Sequence, residues 1–328
     1  MHTSIGRRMR FQALACDFDG TLAMHGIVAA GVIRALKNLS ESGRRLILVS
    51  GRRLDDLFQV FPDLDIFDYV VVENGAILYK PDTRKVKWLT EPVSKSFISA
   101  LRARNVSPLE IGGAIVATWH PNEIKVLEAI NELGLDLHIT FNKGAVMVLP
   151  PTVNKATGLA AALSELNLSR HNVVTVGDAE NDHVMLQMSE CGVAVSNGLP
   201  SLKEHSDFVT RGDHGYGVIE LIDRILLNDL AECDQTLTRH NVVLGKTSAE
   251  QEIKFNPQDC QMLIAGPSQS GKSTIATAIL ERLAASHYQY CVIDPEGDYE
   301  SAPRAVILGN RHSAPEIPDI LKALENPD

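Results

Sequence analysis

Asp17-Phe18-Asp19-Gly20-Thr21-Leu22 is the stretch that decides the fold. The largely apolar run directly before it, residues 11–16, reads as a buried strand. Two carboxylates therefore stand where a strand ends and a glycine-containing loop begins. In open parallel sheets that carboxyl edge is where ligands bind. From there Asp17 can attack phosphorus, and Asp19 can handle the leaving group's proton. Gly20 permits a tight turn, and Thr21 can hydrogen-bond a carboxylate.

Working outward, strand-like and helix-like segments alternate: strands at 11–16, 45–49 and 68–72, helices at 28–42 and 54–61. That alternation predicts a parallel sheet covered by helices. Near residue 78 the pattern changes. A hairpin spans 78–89, helices follow at 93–104 and 122–133, and strands at 114–119, 137–141 and 145–149, the last two joined through Asn142-Lys143-Gly144. The first pattern resumes with helices at 156–166, 182–188 and 218–227 and strands at 173–176, 193–195 and 207–209. The fold class expected is α/β: a Rossmann-like doubly wound parallel sheet with an inserted α+β cap, followed by a partial P-loop α/β unit. The expected domains are a core at 1–77 and 152–227, a cap at 78–151, a polar linker at 228–239 and a P-loop unit at 240–328.

Three further clusters must be explained together with the first. Ser50-Gly51-Arg52 ends a strand, where a hydroxyl and backbone N–H groups at a helix N-terminus can hold phosphate oxygens. Lys155 lies just past the insert, where an ammonium can neutralise a carboxylate–phosphate pair. Gly177-Asp178-Ala179-Glu180-Asn181-Asp182 follows the 173–176 strand. Asp178 and Asp182 are hard oxygen ligands suited to Mg²⁺, and Asn181 can orient a water or a phosphate oxygen. Each cluster alone is an ordinary turn or surface group more often than a site. In this order, each after a predicted strand, they point to a single site.

On these residues the chain, from about 11 to 225, resembles the haloacid dehalogenase superfamily phosphatases of the Cof-like branch with a C2-type cap. The matching stretches are DFDGT at 17–21, SGR at 50–52, ENGA at 73–76, Lys155 and GDAEND at 177–182. The resemblance implies an Mg²⁺-dependent phosphatase acting on a small phosphate monoester, a sugar phosphate foremost, through an aspartyl-phosphate. It implies Asp17, Asp19 and Lys155 as catalytic residues. Thr21, Ser50, Gly51 and Asn181 would bind phosphate, and Asp17, Asp19, Asp178 and Asp182 the metal. The Glu73-Asn74-Gly75 turn reads as the hinge into the cap, with substrate contact open to it. Trp119, His120 and His138 are cap side chains that could face substrate, and His25 and Arg52 lie nearer the chemistry without an assigned role.

Gly266-Pro267-Ser268-Gln269-Ser270-Gly271-Lys272-Ser273 fits G-x-x-x-x-G-K-[ST]. It follows a predicted strand at 262–265 and opens a predicted helix at 274–285. In that context Gly266, Ser270, Gly271, Lys272, Ser273 and Thr274 would cradle the phosphates of ATP or another nucleotide. With HNVVLG at 240–245 and VIDPEGDY at 292–299, the region resembles the opening of a HerA/FtsK-like ATPase domain. A longer apolar strand ending in Asp or Asp-Glu is expected in such domains, and none is found before Asp328. The chain accordingly reads as a fragment of a longer protein, without ATP hydrolysis of its own.

The remaining properties bound the reading. A chain of 328 residues is too long for one ordinary domain. A formal net charge of -10 disfavours a large non-specific nucleic-acid surface, so nucleic acid is expected only through a full-length P-loop domain. The five cysteines are scattered, which fits reduced thiols and a cytoplasmic setting. No apolar run reaches membrane-spanning length, and no apolar signal region follows Arg7, Arg8 and Arg10. Three readings compete with the phosphatase: a motor or regulatory P-loop ATPase with an accessory phosphatase, a bifunctional polynucleotide kinase/phosphatase, and a nucleotide-sensing module.

Overall fold

Strand β1 (Ala13–Asp17) is buried along its whole length, as a central strand of a parallel sheet covered on both faces must be. The computed structural model describes residues 9–258, 260–299, 302, 303 and 305–325; Arg7, Arg8 and Asp328 lie outside them. After β1 come α1 (Ala30–Glu41), β2 (Arg45–Val49), α2 (Leu54–Val60), β3 (Tyr69–Val72), β4 (Ile77–Lys80) and β5 (Lys85–Trp88). An insert follows: α3 (Lys95–Ala103), β6 (Glu110–Ile111), β7 (Val116–Trp119), α4 (Glu123–Leu133), β8 (His138–Asn142) and β9 (Ala145–Leu149). The chain then returns through α5 (Lys155–Glu165), β10 (Val173–Gly177), α6 (His183–Met188), β11 (Cys191–Ala194), α7 (Pro200–His205), β12 (Phe208–Val209) and α8 (His214–Asn228).

The core sheet has the order β12-β11-β10-β1-β2-β3-β4-β5. It is parallel from β12 to β3, and β4 and β5 are added antiparallel. Alternation sorts its side chains. Ala13, Ala15, Ile47, Val49 and Val71 face one way and pack with Leu159, Leu163, Met185 and Leu186 of α5 and α6. Leu14, Cys16, Leu46, Leu48 and Val70, equally buried, face the other way. Helix α1 packs against β2 and α8. Its buried residues Val32, Ala35, Leu36 and Leu39 recur at helical spacing, and Gly43 follows at φ +91° as its stop.

The insert is a separate small α+β layer, with an antiparallel sheet β6-β7-β9-β8. Its own core holds Phe97, Leu101, Val116, Val126, Ile130 and Val148. One boundary differs from expectation. The hairpin β4–β5, read above as the start of the cap, pairs with β3 and extends the core sheet. Local pattern shows that a hairpin exists but not which sheet edge it joins. The expected linker also differs at its start. Leu230 and Cys233 are buried, and Asp229 accepts from the Arg10 amide at 2.5 Å and from Arg44 Nη2 at 3.0 Å. A lone apolar side chain among polar neighbours gives no periodic sign of its burial.

The chain divides into two compact units after Asp234. The second contains the antiparallel pair β13 (Val242–Lys246) and β14 (Glu252–Phe255), helix α9 (Lys272–Ala285), the parallel pair β15 (Cys291–Ile293) and β16 (Val306–Leu308), and α10 (Ile317–Glu325). The strand expected at 262–265 is not formed, and Leu263 there is 90% exposed. Among the described residues β15 pairs only with β16, so this segment has neither a ladder partner nor apolar cover. No described helix is long and apolar enough to cross a membrane, and the five cysteines are free thiols.

Candidate active site

Strand register assembles the site. Asp17 is opposite Val49 of β2, and Cys16 is opposite Val176 of β10. Ser50 and Asp178 therefore leave their strands beside Asp17. From β1 the chain steps to β2 and β3 on one side, and later from β10 to β11 and β12 on the other. The crevice between β1 and β10 is thus the topological switch point, where such sheets bind ligands.

Oxygens of Asp17, Asp178 and Asp182 lie within 4.8 Å of one another, and all three residues are buried. Lys155, the first residue of α5, is 2% exposed. Its Nζ donates to Asp17 Oδ1 at 2.5 Å and to Asp182 Oδ1 at 2.6 Å. A capping box between Asn154 and Thr157 fixes where α5 begins, and with it where that ammonium stands. Burial, then the Asp182 charge, push the Asp17 carboxyl up to about 8 against the pull of Lys155. Burial would lower Lys155, but Asp17 and Asp182 outweigh it and hold the ammonium charged, above the usual lysine range. Burial also raises Asp178, opposed by the ammonium of Lys143.

The loop after β10 is braced by Asp182, whose Oδ2 accepts from the amides of Asp178 and Ala179 at 2.9 Å each. Two glycines make room. A Cβ on Gly177 would lie 2.6 Å from Asp182 Cγ, and one on Gly20 (φ +90°) would lie 2.3 Å from Asp178 Oδ2. Thr21 Oγ1 donates to Asp178 Oδ1 at 3.3 Å. Ser50 is buried, its Oγ accepting from the Arg52 amide at 3.1 Å. Gly51 lies against Asn74: a Cβ on it would stand 3.3 Å from that side chain. Asn181 is buried, and its Nδ2 donates to Asn74 Oδ1 at 2.9 Å. Its own Oδ1 has no partner among the described residues.

Asp19 stands apart from the other three expected metal ligands. Its carboxylate stands outside the three-carboxylate cluster and is clamped by Arg52, with Nε 2.6 Å from Oδ2 and Nη2 2.7 Å from Oδ1. Two residues past the strand end the backbone has begun its turn at Gly20, so this side chain leaves the cluster and remains 41% exposed. Sequence reasoning left Arg52 without a role, and it proves to be the group that orients Asp19.

Three other residues were missed or underread. Lys143, read only as a turn residue, reaches from the cap to pair with Asp178. Glu73 carries a carboxylate that accepts from the cap amides of Gly113 at 2.7 Å, Ala114 at 2.8 Å and Ile115 at 3.2 Å. It therefore fastens the cap as well as marking the hinge. Asn197 donates to the Gly20 carbonyl at 2.8 Å and accepts from the His214 amide at 2.7 Å, tying the loop after β1 to α8. Lys143 had a sequence signal, a cation at the tip of a predicted hairpin in the cap, and Glu73 had one in the hinge turn; Asn197 had none. Trp119 and His120 remain largely exposed, His120 stacking on Phe141 and meeting Glu123, and His138 is half-buried in β8. His25 adopts a left-handed conformation, at φ +53°.

The donor set fits a divalent cation. Three buried carboxylates share one small space, and hard oxygen donors of that number suit Mg²⁺ with waters and a phosphate oxygen completing its shell. Asp17, Asp178 and Asp182 are the residues that would hold it.

In the second unit the loop 266–271 leads into α9, with Gly271 at φ +89°. Lys272 Nζ folds back on the Pro267 carbonyl at 2.8 Å. A Cβ on Gly266 would lie 2.7 Å from Ser270 Oγ, and Ser273 and Thr274 are exposed. Asp294 accepts from its own loop, from the Gly297 amide at 2.9 Å and the Tyr299 amide at 2.7 Å.

Residues 14–125 and 116–222 match the model of the haloacid dehalogenase-like hydrolase family, so the family match ends before the second unit begins. A phosphoglycolate phosphatase from Methanothermobacter thermautotrophicus is 27% identical over 66% of this chain and 99% of its own length. Phosphoglycolate phosphatase 2 of Saccharolobus solfataricus is 28% identical over 65% of this chain and 91% of its own. A crystallised haloacid dehalogenase-like hydrolase from B. subtilis superposes with a TM-score of 0.56 at 18% identity, covering 66% of this chain and 100% of that one.

Proposed function

The chain belongs to the haloacid dehalogenase-like hydrolases, and from that premise we propose that it hydrolyses small phosphate monoesters, phosphoglycolate or a sugar phosphate, through an aspartyl-phosphate on Asp17. One observation carries this reading: Asp17, buried at the end of β1, shares a charged ammonium with Asp182 and faces Asp178 across the switch-point crevice.

In the first step an Asp17 oxygen attacks phosphorus, a new O–P bond forms and the ester P–O bond breaks. Asp19, held by both nitrogens of its Arg52 fork, protonates the departing alkoxide. In the second step Asp19 takes a proton from water, whose oxygen attacks phosphorus, and inorganic phosphate leaves as Asp17 is restored. Lys155 stays charged throughout and offsets the negative charge that gathers around Asp17. Thr21, Ser50, the Gly51 amide and Asn181 line the phosphate's place, and the unpartnered Asn181 Oδ1 suits a water. Mg²⁺, when bound, supplies charge neutralisation at the phosphoryl oxygens.

The test is phosphate release from 2-phosphoglycolate, a panel of sugar phosphates and p-nitrophenyl phosphate, with and without Mg²⁺. Turnover that requires Mg²⁺ and disappears in Asp17→Asn is expected. Full turnover by Asp17→Asn sinks the reading.

A second, independent reading concerns residues 266–274. The loop geometry before α9, with Gly271 left-handed and Lys272 folded over the loop, favours a phosphate cradle for ATP. Fluorescence-detected binding of a labelled ATP analogue, lost in Lys272→Ala, is expected; equal binding by that variant rejects it.

A further inference from the structure

Resting on the phosphatase reading, we propose that Lys143 selects the substrate: it is a cap-borne ammonium that pairs with a second anionic group, a carboxylate, on the phosphate ester. The backbone presents it stiffly. Asn142 and Ala145 close the β8–β9 ladder, and between them Lys143 at φ +47° and Gly144 at φ +91° form a two-residue turn with both residues left-handed. The Lys143 amide also reaches Glu180 Oε2 of the core at 3.4 Å. The ammonium pairs with Asp178 and stands 2.5 Å from where a Gly20 Cβ would be, at the mouth of the site.

The other cations near the site are engaged. Lys155 is enclosed between Asp17 and Asp182, and both oxygens of Asp19 hold Arg52. Lys143 differs because its partner, Asp178, is one of the carboxylates that suit the metal. The Lys143 side chain is 48% exposed even while paired, and a cation on Asp178 would release it from that pair. With Asp178 taken up by a cation, the ligand becomes the nearest partner left for this ammonium, and a second anion on it offers a charged hydrogen bond that a bare phosphate ester does not. Esters with a carboxylate close to the phosphate carry that anion, whereas neutral or aromatic esters do not.

The test compares kcat/KM for 2-phosphoglycolate with that for p-nitrophenyl phosphate at saturating Mg²⁺. In Lys143→Met the ratio is expected to fall about 30-fold, mainly through KM, as a lost charged hydrogen bond implies. Lys143→Arg is expected to recover most of it. Calorimetry gives a readout without turnover: binding of 3-phosphonopropionate, a non-hydrolysable isostere, weakens in Lys143→Met more than that of ethylphosphonate. An unchanged ratio, or equal loss on both substrates, overturns the proposal while leaving the phosphatase reading intact. A wild-type protein inert toward every ester overturns that reading and this one with it.

Discussion

The ammonium of Lys155 lies 2.5 Å from Oδ1 of Asp17, although 138 positions of sequence separate the two residues. The cap is inserted within that interval, so one folding event must close the core around an ion pair whose members arrive from either side of it. Lys155 is 2% exposed and touches two carboxylates. Removing it leaves both without their counter-charge. Lys155→Met is expected to cost about 3–5 kcal/mol in urea unfolding of the metal-free protein. Mg²⁺ should restore part of the loss, and an unchanged unfolding midpoint would contradict the buried pair.

Asp17 is held up to about 8, mainly by burial and then by the Asp182 charge. Its folded value exceeds the unfolded one of 3.8, so the folded metal-free protein binds the extra proton. Its contribution to stability is therefore full at low pH and is lost as the pH rises through about 8. A cation needs the carboxylate deprotonated, so Mg²⁺ uptake at neutral pH should release protons and weaken as the pH falls. Calorimetric titration in buffers of different ionisation enthalpy measures this; a buffer-independent heat would refute it.

Asp19 meets no metal-cluster carboxylate and sits in the Arg52 fork. Asp19→Asn should therefore slow esters with poor leaving groups by about 10²–10⁴-fold. It should slow p-nitrophenyl phosphate much less, because nitrophenolate departs without a proton. Equal losses on both would remove the acid role, and weakened Mg²⁺ affinity in the variant would put the Asp19 carboxylate among the metal ligands.

Glu73 accepts from three successive cap amides and has a left-handed backbone, as does Asn74 beside it. Glu73→Gln replaces a charged acceptor by a neutral one and should cost about 1–3 kcal/mol of cap attachment. Hydrogen exchange at Gly113, Ala114 and Ile115 should accelerate while the amides of β1 and β10 stay protected. Unchanged exchange at those cap amides would show that the carboxylate is not the fastener.

Gly20→Ala would place a methyl group 2.3 Å from Asp178 Oδ2 in a backbone at φ +90°. We expect a folded protein, by circular dichroism, with Mg²⁺ affinity at least about 10-fold weaker, since reorienting a metal ligand costs that much or more. Wild-type affinity would mean that the loop relaxes freely.

Much of the core was legible because its signals are local. The strands at 45–49 and 145–149 were read with the bounds observed, since β-branched and apolar runs flanked by turn residues have few alternatives. Asp17, Ser50, Lys155 and Asp178 were singled out because each follows a strand or opens a helix at the carboxyl edge. The strand expected at 262–265 failed for the converse reason: apolar residues satisfy a local pattern, but a strand also needs a neighbour to pair with. Hairpin β4–β5 was found but assigned to the wrong sheet, because pairing partners outside the hairpin leave no trace in its own residues.

By itself the sequence determined the alternating α/β core, the presence of an insert within it and the chemical type of the site: acids at strand ends with a lysine past the insert. Tertiary structure decided which acids share a cation's space, that Asp19 turns away to Arg52, and that Lys143 and Glu73 bind cap to core. The reason is physical. Periodicity and turn chemistry act within a few residues, whereas charge pairing and ligand geometry depend on distances that only strand register and side-chain packing set.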